Sequence, residues 1–232
     1  MNHFSGQPVF QYFFYAIIFS VFAAIAIYGF YSSRKRRLAL AQWALENNLT
    51  YSDEKNYEFN LRYPTFDCLN RGDSQYAYNI MTGAVAGRVF TGCDYHYATG
   101  SGKNRSHHHF SLVIVKSSIL LEPLLIRPEN ILDKFAELVG FNDIDFESAE
   151  FNKKFYVKAP NKKWAYDIIH PRMMEFLLTS PVFSLQFDLL SVIVYRDCLF
   201  SPADFTAAVE FINGFFDLIP DYVIQNQKIR ST

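Results

Sequence analysis

The chain has 232 residues, of which 50% are hydrophobic and 19% are charged, and its formal net charge is −1. Four of its 22 Lys and Arg residues are consecutive at positions 34–37, so the remaining 18 stand against 23 Asp and Glu residues. The part of the chain outside this cluster is therefore mildly acidic, and the only dense basic patch lies where lipid headgroups are expected. Nucleic-acid binders usually carry a basic face for phosphate contacts, so nucleic acid is excluded as an expected partner.

Residues 9–31 contain no charged side chain, and about 20 apolar residues suffice for a helix to cross a bilayer. They predict a single transmembrane helix. A cleaved signal peptide would have a basic start, a shorter apolar core and a small-residue cleavage site, and this segment has none of these. The helix is followed by four basic residues, which are Arg34, Lys35, Arg36 and Arg37.

These four basic residues determine the predicted orientation. Residues 1–8 contain no Lys or Arg, so the positive-inside rule places them outside and the large domain in the cytoplasm, at the cell (inner) membrane. Contacts with membrane lipids are expected through the anchor and the basic cluster. The odd number of cysteines, Cys68, Cys93 and Cys198, also suits a reducing compartment.

Small residues mark one face of the predicted span. Ala16, Ser20 and Ala24 recur every four residues, a spacing that lets another helix pack closely. Residues 32–48 continue with helical periodicity as a basic juxtamembrane helix, for which Asn47-Asn48 supplies the end. No Gly- or Ser-rich linker follows, so the soluble domain of residues 49–222 is expected to lie close to the bilayer.

The first half of this domain has the pattern of strands and turns. The polar stretch of residues 98–105 predicts the loop of a β-hairpin. Beyond it, residues 110–115 are largely apolar on both faces, so the second strand of the hairpin is expected to be central in the sheet.

The second half predicts the order β-α-β-β-α, after a short helix that begins near Arg127-Pro128 and ends at Gly140. Its elements are a strand at Phe155–Lys158, a helix at residues 162–178 interrupted near Pro171, a hairpin at 183–187 and 192–195, and a helix at 203–216 capped by Ser201. Residues 223–232 are expected to form a loose tail. The predicted fold is α+β, with an N-terminal transmembrane helix followed by an antiparallel sheet that carries helices on one face.

A succession of motifs extends from residue 79 to residue 220. The motifs are Asn79-x-x-x-Gly83, Gly87-Arg88-Val89-Phe90, Asp94-Tyr95-x-Tyr97-x-Thr99-Gly100-Ser101-Gly102-Lys103, Arg127-Pro128-Glu129, Asp145-Phe146-Glu147-Ser148-x-Glu150-Phe151-Asn152-Lys153-Lys154-Phe155 and Phe216-x-x-Ile219-Pro220. The succession resembles a group of uncharacterised bacterial membrane-anchored proteins of the domain-of-unknown-function type. The resemblance implies an architecture, but it implies no activity and no catalytic residue.

A metal site is one alternative for the hairpin. Cys93 and His96 precede its loop and His107 and His109 follow it, and these residue types bind zinc or another transition metal. His107 and His109 share a strand face, whereas Cys93 and His96 fall on opposite faces unless a bulge intervenes. The alternative function is therefore a metal- or ligand-binding domain built on these four residues, with or without catalysis.

Motifs for other chemistries are incomplete. Gly100-Ser101-Gly102-Lys103 lacks the first Gly and the final Ser or Thr of a phosphate loop. The acidic stretch at residues 143–154 lacks the Gly and the Glu of an EF-hand. No nucleophile elbow is present. These observations favour a protein that is not an enzyme and has no cofactor.

Aromatic residues make up 18% of the chain, and exposed aromatic surface marks contact with partners. Four tyrosines, Tyr76, Tyr78, Tyr95 and Tyr97, are expected to expose their rings on one sheet face. The sequence therefore predicts a non-catalytic, membrane-anchored interaction protein. It would be an accessory subunit of a membrane protein assembly or a membrane-tethered scaffold, the latter as a homo-oligomer.

Overall fold

The computed structural model describes residues 7–129 and 144–230, with the side chains of 11–129 and 144–227. Its helices are α1 (Gln7–Glu46), α2 (Ala149–Lys154), α3 (Lys162–Ile168), α4 (Pro171–Thr179), α5 (Pro202–Asp217) and α6 (Asp221–Arg230). Its strands are β1 (Thr50–Ser52), β2 (Asp73–Val85), β3 (Arg88–Thr99), β4 (Ser106–Lys116), β5 (Leu124–Pro128), β6 (Phe155–Lys158), β7 (Ser184–Asp188) and β8 (Ser191–Arg196).

The strands form one antiparallel sheet of eight, in the order β1-β2-β3-β4-β8-β7-β5-β6. The predicted hairpin is β3–β4, which pairs Phe90 with Val115 at one end and Thr99 with Ser106 at the other. β4 lies between β3 and β8 in the interior of the sheet, as its apolar faces predicted. The fold is the predicted α+β class.

Two apolar cores lie on opposite faces of the sheet. The larger contains Phe90 and Val113 from the strands and buried residues from all six described helices. The smaller contains Tyr95 and Phe110, and it is covered by a segment with two short 3-10 helices, Asn60–Arg62 and Asp67–Asn70. Alternate residues of a strand point to opposite sides of the sheet, so β2, β3, β4 and β8 contribute side chains to both cores. The six described α-helices all pack on the face that carries the larger core.

The first helix, α1, is unbroken from the apolar stretch into the domain. An 18-residue window of it has a mean hydropathy of 2.2 and none of its residues is buried, so by length and composition the helix is able to cross a membrane. Further along, Leu40, Trp43 and Ala44 are buried in the larger core. Burial of a large apolar side chain contributes about 1.5–3 kcal/mol, which fastens this end of α1 to the sheet.

The end of α1 has a local cause. Asn48 adopts a left-handed conformation (φ 57°), and its N–H donates to the carbonyl of Leu45. The N–H of Leu49 donates to the carbonyl of Ala44 at 2.8 Å. This pair of bonds is a Schellman motif, for which Asn is an accepted substitute for Gly. The predicted helix stop at Asn47-Asn48 is therefore confirmed.

Most of the elements predicted for the second half of the domain are present in the structure. The helix interrupted at Pro171 is the pair α3 and α4, and the predicted hairpin is β7–β8. The Oγ of Ser201 accepts from the N–H of Asp204, whose carboxylate accepts from the Ser201 N–H, so α5 begins with a capping box.

Two expectations differ from the structure. Arg127 and Pro128 lie in β5, not at a helix start, and the remainder of that predicted helix, residues 130–140, lies outside the described residues. Residues 223–232 are expected to form a loose tail. Residues 231–232 lie outside the described residues, but residues 223–230 belong to α6. Val223 and Gln227 are buried there, so packing stabilises a helix that the polar sequence alone does not predict.

Candidate functional site

A buried ion pair joins α1 to the sheet. The Arg36 guanidinium donates two hydrogen bonds to the carboxylate of Asp94 in β3, at 2.6 Å from Nη1 and 2.8 Å from Nη2. The Asp94 side chain is fully buried, whereas that of Arg36 is 23% exposed. Such a bidentate pair fixes both distance and orientation, so α1 is held to the sheet at a defined angle.

The polar atoms around this pair have partners. Asn79 Nδ2 donates to Asp94 at 2.7 Å, and the Ser111 hydroxyl donates to the other carboxylate oxygen. The carbonyl of Phe200 accepts from Arg36 Nε at 3.1 Å and Nη2 at 2.7 Å. We call Arg36, Asp94, Asn79, Ser111 and the Phe200 carbonyl the arginine clamp. Its four donors to the carboxylate offset the cost of burying that charge.

A β-bulge supplies one member of the clamp. The pairing of β2 with β3 shifts register between Tyr78 and Met81, and Asn79 between them has a left-handed φ of 48°. A bulge re-aims the side chain it carries, and Asn tolerates this conformation better than most residues. Asn79 Oδ1 also accepts from the Tyr51 hydroxyl at 2.7 Å, so β1 is joined to the same network.

The sequence does not predict the clamp, because its pattern assigns all four basic residues of the cluster to lipid headgroups. Arg34, Lys35 and Arg37 are exposed, whereas Arg36 is hydrogen-bonded to the domain. One signal was available: Asp94 is the only charged residue between Arg88 and Lys103. A single carboxylate in a long strand often has a buried cationic partner.

Beyond the clamp, the same sheet face carries a cluster of aromatic rings. We call it the histidine–tyrosine patch, and it comprises Tyr76, Tyr78, His96, His107 and His109. Tyr76 stacks on His96 with ring centroids 4.5 Å apart, and His96 lies 4.8 Å from His109. The Tyr78 hydroxyl is 3.0 Å from His109 Nδ1. His96 is buried beneath the patch, whereas His107 and His109 are exposed.

The hydrogen bonds of the patch determine the tautomer of His96. Its Nδ1 lies 2.9 Å from the Ser74 carbonyl, which can only accept, so Nδ1 carries the proton. In the neutral ring Nε2 then accepts from His107 Nδ1, which is 2.9 Å away. Burial lowers the pKa of His96, and partial desolvation by the surrounding rings, together with the neighbouring His96, lowers the pKa of His109 although its side chain is exposed.

The four metal candidates are only partly brought together. His96, His107 and His109 share the patch, but Cys93 is fully buried on the opposite face, in the smaller core. No bulge rotates it, because β3 and β4 pair in continuous register from Phe90 to Thr99. Across residues 7–129 and 144–230, no group of three or more His, Cys, Asp or Glu side chains is arranged to hold a metal ion.

The four predicted tyrosines do not share a face, which corrects the expected exposure. Tyr76 pairs with His96 across β2 and β3, and with Tyr78 it lies in the patch. Tyr95 is fully buried on the other side and its hydroxyl donates to the Leu69 carbonyl at 2.8 Å. Tyr97 is half-buried and stacks on His108, also on that side. Tyr76 and Tyr78, which are half-buried, are the two of the four that lie on the patch face.

The predicted helix-packing face remains available. Ala16, Ser20 and Ala24 are exposed along α1, and the Ser20 hydroxyl donates to the Ile17 carbonyl at 2.8 Å. That local bond satisfies the hydroxyl within the helix, so the face needs no partner of its own to be stable in an apolar environment. Its role in helix packing stays a prediction.

The histidine pKa values predict a pH-dependent stability. Because the folded pKa values of His96 and His109 lie below the unfolded value of about 6.5, the unfolded chain binds more protons as the pH falls. The free energy of unfolding of the full-length protein in detergent should therefore decrease between about pH 7.5 and about pH 5. We expect H96Q to flatten this dependence, and H108Q, on the opposite face, to retain it. Equal slopes for wild type and H96Q would contradict the assignment.

Comparisons with known proteins give one informative similarity. No family model matches the chain, and no curated protein matches it in sequence. Among solved structures, it is similar to the mycobacterial trehalose monomycolate transport factor A, TtfA. The TM-score is 0.55 with 12% sequence identity, over 81% of this chain and 97% of that one. At this level of identity the likeness concerns the fold alone.

Proposed function

We propose that this protein is a non-catalytic, membrane-anchored accessory subunit that works by contact with a membrane protein assembly. The observation that carries the proposal is α1, a single helix with an exposed apolar half and a half that packs into the domain core. The arginine clamp fixes the angle between α1 and the sheet of the domain. A domain mounted in this way presents its surface at one height and in one direction relative to the bilayer.

The position of the anchor argues against its removal as a leader. Arg36, Leu40 and Trp43 follow directly on the same helix and are bonded to or buried in the domain. Basic residues behind the span favour a cytoplasmic domain, with the amino terminus outside. The three cysteines are free, and Cys68 and Cys93 are buried, which suits a reducing compartment.

Two surfaces are the proposed contacts with the partner. The first is the histidine–tyrosine patch, since tyrosine supplies much of the binding energy in protein interfaces. The second is the small-residue face of α1, where a helix of the partner could pack within the membrane. The fold similarity to TtfA, whose name describes a transport factor, supports a place beside a membrane transport assembly.

Purification in mild detergent tests the proposal. The full-length protein should retain a stoichiometric membrane protein, identified by mass spectrometry. The Y76A/Y78A variant should retain about tenfold less of it, because loss of two interface tyrosines costs more than about 1.4 kcal/mol. Y166A is the matched control, since Tyr166 is 49% exposed and lies outside the patch.

The outcome also distinguishes the forms of the proposal. A second copy of this chain as the sole stoichiometric partner would favour the scaffold form over the accessory subunit. A solitary monomer in native membranes would contradict both. Thermal unfolding of Y76A/Y78A, measured beside Y166A, ensures that a lost partner does not simply reflect a lost fold.

A further inference from the structure

A cavity of about 350 Å³ lies where α1 meets the sheet, next to the arginine clamp. One wall is formed by Phe30, Ser33, Arg34 and Arg37, whose spacing places them on one face of the helix. Phe30 lies at the end of the apolar stretch of residues 9–31, and Ser33, Arg34 and Arg37 follow directly after that stretch. If the span crosses a bilayer, the cavity lies at the level of the lipid headgroups.

The cavity carries an excess of positive charge. Arg34, Arg37 and Lys55 line it together with one carboxylate, that of Asp53. Arg36 lines it too, but its charge is matched by buried Asp94. Asp53 pairs with Arg37 at 3.2 Å, an exposed contact. Arg34 takes part in none of the ion pairs found among the described residues. Two cationic charges therefore remain for an anion.

The cavity is also bordered by apolar side chains. Phe30 is 72% exposed and Leu199 is 42% exposed, and both line it. Toward the amino terminus, the surface of α1 continues as exposed apolar side chains such as Ile27. A ligand that fits both parts has an anionic group joined to hydrocarbon, which describes a phospholipid better than a free phosphate ion.

We propose that this cavity binds the phosphate group of an anionic phospholipid. The guanidinium of Arg34 and the ammonium of Lys55 donate to the phosphate oxygens, and the acyl chains lie along the apolar surface of α1 beyond Phe30. Charge-assisted hydrogen bonds of this kind are among the stronger polar contacts in proteins. The inference rests on the membrane anchorage proposed above.

This proposal differs from attraction of the whole basic cluster to an anionic surface. Lys35 belongs to the cluster but does not line the cavity, because the helix turns it to another side. General attraction would give every exposed cation near the bilayer a similar contribution. In a specific binding site, Arg34 and Lys55 contribute far more to lipid binding than Lys35 does.

Native mass spectrometry of the full-length protein in neutral detergent tests the site, with phosphatidylglycerol, phosphatidylcholine or inorganic phosphate added. We expect one phosphatidylglycerol to be retained in preference to phosphatidylcholine. R34Q/K55Q should weaken this binding by about tenfold or more, since it removes two charged donors. K35Q/R62Q removes the same number of charges, both on exposed residues outside the cavity, and should bind as wild type does.

Three results would overturn the proposal: equal retention of the two lipids, an equal loss in both double variants, or occupation by inorganic phosphate with no preference for lipid. Extraction of membranes with carbonate separates this inference from the proposed function. R34Q/K55Q should stay in the membrane pellet although its lipid binding is weakened. Release of wild-type protein into the supernatant would instead contradict the membrane anchorage.

Discussion

Replacing Arg36 by methionine should lower the free energy of unfolding by about 3–5 kcal/mol, the usual cost of removing one partner from a buried ion pair. The variant leaves the Asp94 carboxylate fully buried with only Asn79 and Ser111 as donors. Methionine retains most of the length and apolar contact of arginine, so the effect reports on charge. Denaturant unfolding in detergent, followed by the fluorescence of buried Trp43 and Trp164, measures it.

Two further variants make this prediction specific. K35M removes an exposed charge one position earlier and should change the free energy of unfolding by less than about 0.5 kcal/mol. R36M/D94N also replaces the unpaired carboxylate of residue 94. It should be more stable than R36M alone, because a neutral amide costs less to bury than an unpaired carboxylate. If R36M were no more destabilising than K35M, the arginine clamp would not fasten α1 to the domain.

Insertion of two alanines between Ser32 and Ser33 should strongly reduce retention of the partner while leaving the domain folded. Each helical residue adds about 100° and 1.5 Å, so two residues turn the domain by about 200° relative to the span. The patch and the small-residue face of α1 then no longer point as they did. Co-purification in mild detergent should show at least about a tenfold loss, as expected when two sites cannot engage together.

Insertion of four alanines at the same position is the matched control. It lengthens the helix by about 6 Å but changes the direction of the domain by only about 40°. It should therefore retain more partner than the two-alanine insertion, although it is the longer one. Equal retention in both variants would show that the direction of the domain does not matter and would contradict a rigidly mounted contact surface.

The parts of the fold that the sequence predicted are those determined locally. The β3–β4 hairpin follows from alternating side chains and a polar loop, and the start of α5 follows from Ser201 and Pro202. The end of α1 follows from Asn48. Each signal lies within a few residues of the feature it predicts, so no knowledge of distant pairing is needed.

The clamp could not be predicted in this way, since Arg36 and Asp94 are 58 positions apart. Nothing in the periodicity of α1 distinguishes Arg36 from its three basic neighbours until the helix is placed against β3. The prediction that the four tyrosines share one sheet face was wrong for a related reason. Tyr76 and Tyr95 belong to different strands, and their faces depend on the register between β2 and β3, which a bulge shifts.

α1 continues from the apolar span into the domain without a flexible linker, and this continuity has a mechanical consequence. A span that is longer than the local hydrocarbon thickness tilts, by about 20° on average in membrane proteins. With no flexible linker before Leu40, a tilt of the span swings the domain through the same angle. About 20 Å from the clamp, a 20° tilt displaces a point by about 7 Å. If the span crosses a bilayer as we propose, bilayer thickness sets where the patch meets its partner.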